Sequence, residues 1–482
     1  MFFFRAVANG LPVLRLLLGM MLGGGLLAST AGHALSLTDA FDRASNSEPG
    51  YLGAKADFQG AQAREEQTFG ALLPQISATF STSMNHRLYD TLDSIIPDQR
   101  DKYNAHANQI SLTQPLWRYV NLTSHQQADR AMAQAQFRMI GAEQELFSKV
   151  VSAWFEMLMA RDEALFAARQ TEAARKQWEV MQRGEQLGSH GRPQVDDALA
   201  KYQQAQADEF SAETESQLKL ATLEQMTGPL NEFSFPFLRQ ESTGMDLDIE
   251  PQETWVRALE DQSPAILSAQ KALEAAEKEI SKQRAGHHPT IDFVASYGLN
   301  DQQVGGFPGQ KGYEIWLRSV ALQVNLPIFS GGTQSAKVKE AIAAYDKARA
   351  DLEGARRAAV LGVRQAWLGW RSAFARSQAA RMACQAANSA LQLAERGVVH
   401  GVKSDLDVLQ ARQQFESAQR DLNKARYMQI SSFMRLKSLL GQATPSDTMS
   451  IDALFDDHAS AYVPIRKESD VLEKDDAGQV SP

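Results

Sequence analysis

The 482-residue chain carries the same layout twice, and this repeat narrows the possible folds more than any other feature. Pro49 and Pro264 stand 215 residues apart, and at that offset Leu52 answers Leu267, Ala54 answers Ala269, Pro74 answers Pro289 and Ile76 answers Ile291. Pro115 pairs with Pro327 at an offset of 212. Beyond Val150 and Val363 the offset is 213, through Ala153 with Ala366, Trp154 with Trp367, Gly184 with Gly397, Gly188 with Gly401, Val195 with Val408, Asp208 with Asp421 and Gly228 with Gly441. Such small shifts are what short insertions in surface loops produce. Proline, glycine and tryptophan are not helix filler, so compositional likeness between two Ala/Gln-rich helices is the weaker explanation.

Each copy predicts the same order: helix, strand, loop, strand, very long helix, glycine-bearing turn, long helix. The first repeat occupies 35–228, with a first helix over 37–73, strands near 75–88 and 105–118, and long helices near 123–187 and 194–226. The second occupies 251–441, with a helix over 252–288, strands near 290–300 and 315–328, and helices near 333–396 and 403–440. The loops 89–104 and 301–314 are rich in Asp, Gly, Pro and Gln, as exposed loops are. Residues 229–250, with Phe233, Phe235 and Phe237, break the repeat and predict a short collar beside the helices. Residues 442–482 form a tail whose end, from Glu468, is acidic and predicts disorder.

The strands alternate. Ile76, Ala78, Phe80 and Met84 oppose Gln75, Ser77, Thr79, Ser81 and Ser83, while Ile291, Phe293, Ala295, Tyr297 and Leu299 oppose Asp292, Ser296, Gly298 and Asn300. On the return strands Ile110 and Leu112 oppose Gln109, Ser111 and Thr113; Val320, Leu322, Val324 and Leu326 oppose Ser319, Gln323 and Asn325. A period of two marks one greasy and one polar face. The helix over 123–187 contains no proline, and at 1.5 Å per residue it reaches roughly 95 Å. Val363, Trp367, Trp370 and Phe374 draw an apolar seam along its counterpart. Helices of this length call for antiparallel coiled-coil packing rather than a globular core.

The start of the chain reads as an export address. Arg5 and Arg15 accompany an apolar stretch over 16–28, and a small-residue run ends at Ala34, the expected cleavage point of a signal peptide over 1–34. That stretch is too short to span a bilayer, which takes about 20 residues. No apolar run of about 18 or more residues occurs elsewhere, which excludes a polytopic helical membrane protein. The net charge of -9 argues against a nucleic-acid binder. Cys384, the one cysteine, excludes an intramolecular disulfide and a multi-cysteine metal site.

An exported chain with two-faced strands builds either a half-buried sheet or a transmembrane barrel. Trp117, Tyr119 and Trp316 lie near strand ends, where an aromatic girdle would sit. Four strands leave two open edges, which lipid does not tolerate, so several chains must share one barrel. Symmetric closure then sets the long helices around the same axis. The fold class expected is mainly α with a membrane β-barrel.

The two-copy layout, Leu72-Leu-Pro-Gln-Ile-Ser77, Leu112-Thr-Gln-Pro-Leu116, Val324-Asn-Leu-Pro-Ile328 and Gly401-Val-Lys-Ser-Asp-Leu-Asp-Val-Leu409 together resemble the TolC family of outer-membrane exit ducts. The likeness covers about residues 35–442. It implies a homotrimer, a 12-stranded barrel with four strands per chain, and a periplasmic α-helical barrel that meets a periplasmic adaptor and an inner-membrane ABC or proton-driven transporter. The segment before the first strand, and the lack of a lipidation cysteine, are more similar to a type I protein-secretion duct than to a lipoprotein drug-efflux duct. The resemblance also implies a periplasmic entrance at the helix turns, with Gly184, Gly188, Gly397 and Gly401 as adaptor-contact candidates. Lys403 stands at a basic link position and Asp407 at a constriction acid; Gln194 and Gln410 replace acids of that pattern. Asp196, Asp197 and Asp405, with Arg192, lie close enough to supply charge. The alternative for the acids is helix-start stabilisation by Asp.

Other signals fall short. His287-His288 are adjacent rather than four apart, so a helix end suits them better than a metal. Gly305-Gly-Phe-Pro-Gly-Gln-Lys-Gly312 lacks the Gly-Lys-Ser/Thr ending of a phosphate loop. No catalytic spacing, cofactor or metal site emerges, and no enzyme activity is expected. A multidrug efflux channel is the runner-up. A soluble periplasmic coiled-coil scaffold is the reading from another class.

Overall fold

The computed structural model describes residues 34–90, 99–230, 233–239, 250–307 and 309–456. The expected signal peptide and the end of the tail therefore lie outside the described residues, as does most of the connecting segment 229–250. Helices α1 (Leu37–Ser47) and α2 (Pro49–Gly70) open the first repeat, followed by β1 (Gln75–Tyr89), β2 (Gln99–Trp117), α3 (Tyr119–Gln186) and α4 (Arg192–Thr227). A short strand, β3 (Phe237–Leu238), separates the repeats. The second then runs α5 (Gln252–Gln262), α6 (Pro264–Ala285), β4 (Thr290–Val304), β5 (Lys311–Asn325), α7 (Thr333–Val399) and α8 (Asp405–Leu439). Helix α9 (Pro445–Asp452) and β6 (Phe455–Asp456) close it.

The first helix of each repeat is two helices, not the single one expected over 37–73 and 252–288. Proline has no N–H and pushes the residue before it into extended backbone. Glu48 and Ser263 are accordingly extended, with ψ of 119° and 117°, and Pro49 and Pro264 start new helices. The hairpins are also longer than the alternation indicated. Strand β2 begins at Gln99 rather than 105, β4 continues to Val304, and β5 runs from Lys311 to Asn325 rather than 315–328. Alternation is visible only where one face is apolar. Beyond that band the hairpin keeps pairing through polar residues.

The four long strands make one antiparallel sheet in the order β1-β2-β4-β5. Each repeat donates a hairpin, β2 and β4 join them, and β1 and β5 keep an open edge. The helices extend from one end of this sheet. Helices α3 and α7, of 68 and 67 residues, each reach about 100 Å at 1.5 Å per residue. Helix α4 packs back along α3, α8 along α7, and α6 lies between α3 and α7. Midway along, Leu146, Phe147, Val150, Trp154, Phe155 and Leu158 of α3 are buried against α1, Tyr427 and Ile430 of α8, and Phe455. A second core gathers Leu259, Ile266, Leu352, Val363, Leu436 and Leu440. The seam read from sequence is here too: Val363 and Trp370 are buried, and Trp370 stacks on Phe374.

Of the collar, Phe233 and Phe235 pack on the first core, and β3 pairs antiparallel with β6. The C-terminal end thus adds ordered elements to this waist through residue 456.

Candidate functional site

The sheet has two chemically distinct faces over most of its width, although register also puts Asn108, His106 and Arg318 on the apolar side and Ile315 and Leu317 on the polar side. Register places Ile76, Phe80, Leu112, Ile110, Phe293, Tyr297, Val320 and Leu322 on one face. Phe80 is 75% exposed, Met84 86% and Val320 73%, so nothing in the chain covers them. The opposite face carries Ser77, Thr79, Ser81, Ser111, Gln109, Ser296, Asn300, Ser319 and Gln323. Hydroxyl pairs cross its strands, Ser77 with Ser111 at 2.8 Å and Ser296 with Ser319 at 2.6 Å. Such a sheet suits lipid on one side and water on the other.

A β-bulge between Pro115 and Trp117 breaks the alternation and sets Trp117 opposite Ile291, on the apolar side. Trp117 stacks with Tyr119 at 6.4 Å, and Tyr119 meets His288 at 5.3 Å, at the end of the sheet nearest the helices. Trp316 is elsewhere, opposite Leu299 and 5.8 Å from Tyr297. The three girdle candidates therefore do not share one level. At the helix end of the sheet, Arg118 donates to both carboxylate oxygens of Asp292 at 2.7 and 2.6 Å, tying the two repeats together. Asp292 is buried. Sequence reading missed this pair, because a separation of 174 residues leaves no local signal.

The α3–α4 and α7–α8 turns lie about 100 Å from the sheet, at the far ends of α3 and α7. They are built alike. In the first, the Gly184 carbonyl accepts the N–H groups of Ser189 at 2.9 Å and His190 at 3.3 Å; in the second, the Gly397 carbonyl accepts those of Val402 at 2.8 Å and Lys403 at 3.2 Å. Gly188 and Gly401 adopt φ of 74° and 69°, the left-handed backbone that ends such turns cheaply only with glycine. A side chain at Gly184 would collide with the His190 ring, and one at Gly397 with the Lys403 side chain. His190 thus occupies the place of Lys403 in the first repeat. Its neighbours were read from sequence; it was not.

The candidate charges divide by what they touch. Asp407 accepts the Ser404 N–H at 2.8 Å and its hydroxyl at 2.9 Å, while Lys403 approaches at 3.9 Å. The Ser404 backbone, then its hydroxyl, then Lys403 hold the Asp407 carboxyl below its ordinary range. Asp407 is therefore a helix cap as well as a charge. Gln194 does the same work in the first repeat, accepting the Gly191 N–H at 3.2 Å. Asp197 pairs with Lys201 at 2.7 Å. Asp196, Arg192 and Gln410 are exposed, and Asp405 is the first residue of α8. No hydrogen bond or ion pair among the described residues joins one turn to the other, so the chain alone brings together only each turn's own members.

At the waist, Arg161 donates to the carbonyls of Phe235 and Pro236, both at 2.9 Å, and lies 4.0 Å over the Phe237 ring. Asp162 accepts from Tyr427 at 3.1 Å and Asn423 at 3.3 Å. Burial, reinforced by Asp162, pushes the Tyr427 hydroxyl well above its usual value, so it stays a neutral donor. Among the described residues no cluster of His, Cys, Asp or Glu could hold a metal, and no helix is long and apolar enough to cross a membrane.

The sequence pattern of outer membrane efflux proteins matches twice, over residues 42–229 and 255–442. The proteases secretion protein PrtF of Dickeya chrysanthemi is 26% identical over 89% of this chain and 93% of its own length. The alkaline protease secretion protein AprF of Pseudomonas aeruginosa is 25% identical over 92% and 91%, and the outer membrane protein TolC of Vibrio cholerae is 26% identical over 88% and 95%. The crystal structure of the Campylobacter jejuni CmeC outer membrane channel shares the fold, with a TM-score of 0.69 at 17% identity, over 92% of this chain and 98% of that one.

Proposed function

The chain belongs to the outer membrane efflux protein family, and from that premise we propose that it is the outer-membrane duct of a tripartite export system whose cargo is secreted protein. One observation carries the reading: a four-stranded sheet, apolar on one face and polar on the other, with both edges open. Lipid leaves no edge unpaired, so copies of the chain complete one another's sheet. Three copies give about twelve strands and an aqueous pore, and their helices continue it into the periplasm. Passage is passive; energy comes from an inner-membrane transporter, reached through an adaptor. The names of PrtF and AprF, proteins of protease secretion, favour protein cargo over drugs.

The α3–α4 and α7–α8 turns form the periplasmic entrance. Rings of Asp407 with Lys403, and of Asp196, Asp197 and Arg192, narrow it electrostatically. Replacing Asp407 and Lys403 together raises single-channel conductance in planar bilayers; an unchanged value removes them from the gate. The duct itself is tested by fractionation and mass. A detergent-requiring trimer in the outer membrane supports it, and a wash-soluble periplasmic protein sinks it. Deletion followed by secretome and drug-sensitivity assays separates protein export from efflux.

A further inference from the structure

We propose that Arg318 holds the phosphate of an outer-leaflet lipid headgroup on the lipid-facing side of the sheet. The inference rests on the duct reading, which turns the hairpin tips outward and the helices into the periplasm. Register sets Arg318 of β5 opposite Tyr297 of β4, on the face that carries Val320, Leu322 and Val324. Arg318 is exposed, and its guanidinium carbon lies 5.3 Å from the centre of the Tyr297 ring. Tyr297 in turn meets Trp316, two residues nearer the tip, at 5.8 Å. A cation on a lipid-facing surface is costly unless water or an anion meets it.

Among the described residues of the sheet, no carboxylate stands within its reach. Neither its own row, through Tyr297, Ile110 and Ala78, nor the rows on either side contain an acid. Glu314, the next acid on that face of β5, is about 13 Å farther along the strand. A second copy supplies none either. Cyclic closure sets the open edge of β5 against β1 of the next copy, and β1 has no Asp or Glu at any position. Behind it, the one carboxylate of β2 is Asp101, which lies on the polar face and pairs with Arg87 at 2.5 Å. This holds whatever the register between copies.

Strands of a barrel tilt, so depth is counted along one strand rather than across a row. Ten residues separate Arg318 from Ile328, and Val320, Leu322, Val324, Leu326 and Ile328 between them are all exposed. That is about 33 Å of extended chain, or about 25 Å of height at a tilt of about 40°, the height of the apolar band of an outer-membrane barrel. Arg318 therefore stands where the band ends, level with the outer headgroups, with Tyr297 and Trp316 as boundary aromatics beside it. Phosphates are the anions of that level. The planar fork of a guanidinium grips one through two parallel hydrogen bonds.

The assembled protein, extracted from membranes in a neutral detergent, tests this by native mass spectrometry with diphosphorylated lipid A as the probe. The wild type is expected to retain the probe, and Arg318→Gln to bind it about tenfold more weakly, as loss of a charged hydrogen-bonded pair implies. Lipid A stripped of its phosphates is expected to bind the wild type as weakly as the intact probe binds Arg318→Gln. Equal binding of the two probes by the wild type, or an unchanged affinity in Arg318→Gln, overturns the proposal. Full displacement of the probe by millimolar inorganic phosphate also overturns it, because the site would then serve a free anion. Should Arg318→Gln fail to assemble, Arg318→Lys takes its place: it keeps the charge without the fork, about a threefold loss is expected, and no loss overturns the proposal. A wild-type protein that stays soluble without detergent defeats the duct reading instead.

Discussion

Asp407 shows how one residue answers two descriptions. The resemblance to exit ducts reads it as a gate acid, and its place at a helix start reads as a cap. The structure uses its carboxylate to complete the capping box of α8, back-bonding the N-cap Ser404, with Lys403 beside it. Those local readings were available because capping needs only a spacing of three. Tyr427 was not legible: nothing in its neighbourhood announces a buried hydroxyl reaching Asp162 on another helix. Tyr427→Phe removes that bond while keeping the packing against Phe155 and Phe455. A loss of about 1 kcal/mol is expected, the usual net value of such a bond, read as a lower midpoint in denaturant. No shift would remove the bond from any structural role.

At the scale of the element, alternation on the strands foretold which side chains share a face, and the register agrees residue by residue for the apolar band. It failed at Trp117, where one bulged residue reverses the alternation, and at the strand ends, where both faces are polar. The helix breaks at Pro49 and Pro264 were legible in the proline itself. The faces make a paired prediction. Phe80→Lys puts a charge into lipid, at about 2–4 kcal/mol if it lies near the midplane, and lowers the yield of outer-membrane trimer. Ser81→Lys, one residue on and facing the pore, leaves that yield intact. A lower yield from Ser81→Lys than from Phe80→Lys would show that the faces are assigned the wrong way round, and equal yields would show that neither face meets lipid.

At the scale of the molecule, the chain's two described ends are tied together at its waist. Asp452 accepts the N–H groups of Leu37 at 2.7 Å and Thr38 at 3.1 Å, closing a span of more than 400 residues. Lys437 holds α9 through Asp447 at 2.6 Å. Burial raises the Asp447 carboxyl, but Lys437 and the Thr444 N–H and hydroxyl outweigh it and keep it below its ordinary value. A depressed carboxyl stabilises fully above its unfolded value of about 3.9 and loses that contribution as pH falls through its folded value. Protease cleavage near α9 is thus expected to stay flat from neutral pH to about 4 and then rise, with Asp447→Asn cleaved faster already at neutral pH. A wild-type profile matching Asp447→Asn at neutral pH would contradict it. The repeat, the two-faced strands and the long proline-free helices are periodic signals, so residues i, i+2 and i+213 carry them without any fold in hand. The sheet order that joins β2 to β4, the Arg118–Asp292 pair and the bonds from Arg87 of β1 to Asp101 and to the Gly305 carbonyl are contacts across 14 to more than 200 residues of chain. Only closure of the fold brings such partners within bonding distance, because no local period records which distant side chain each will meet.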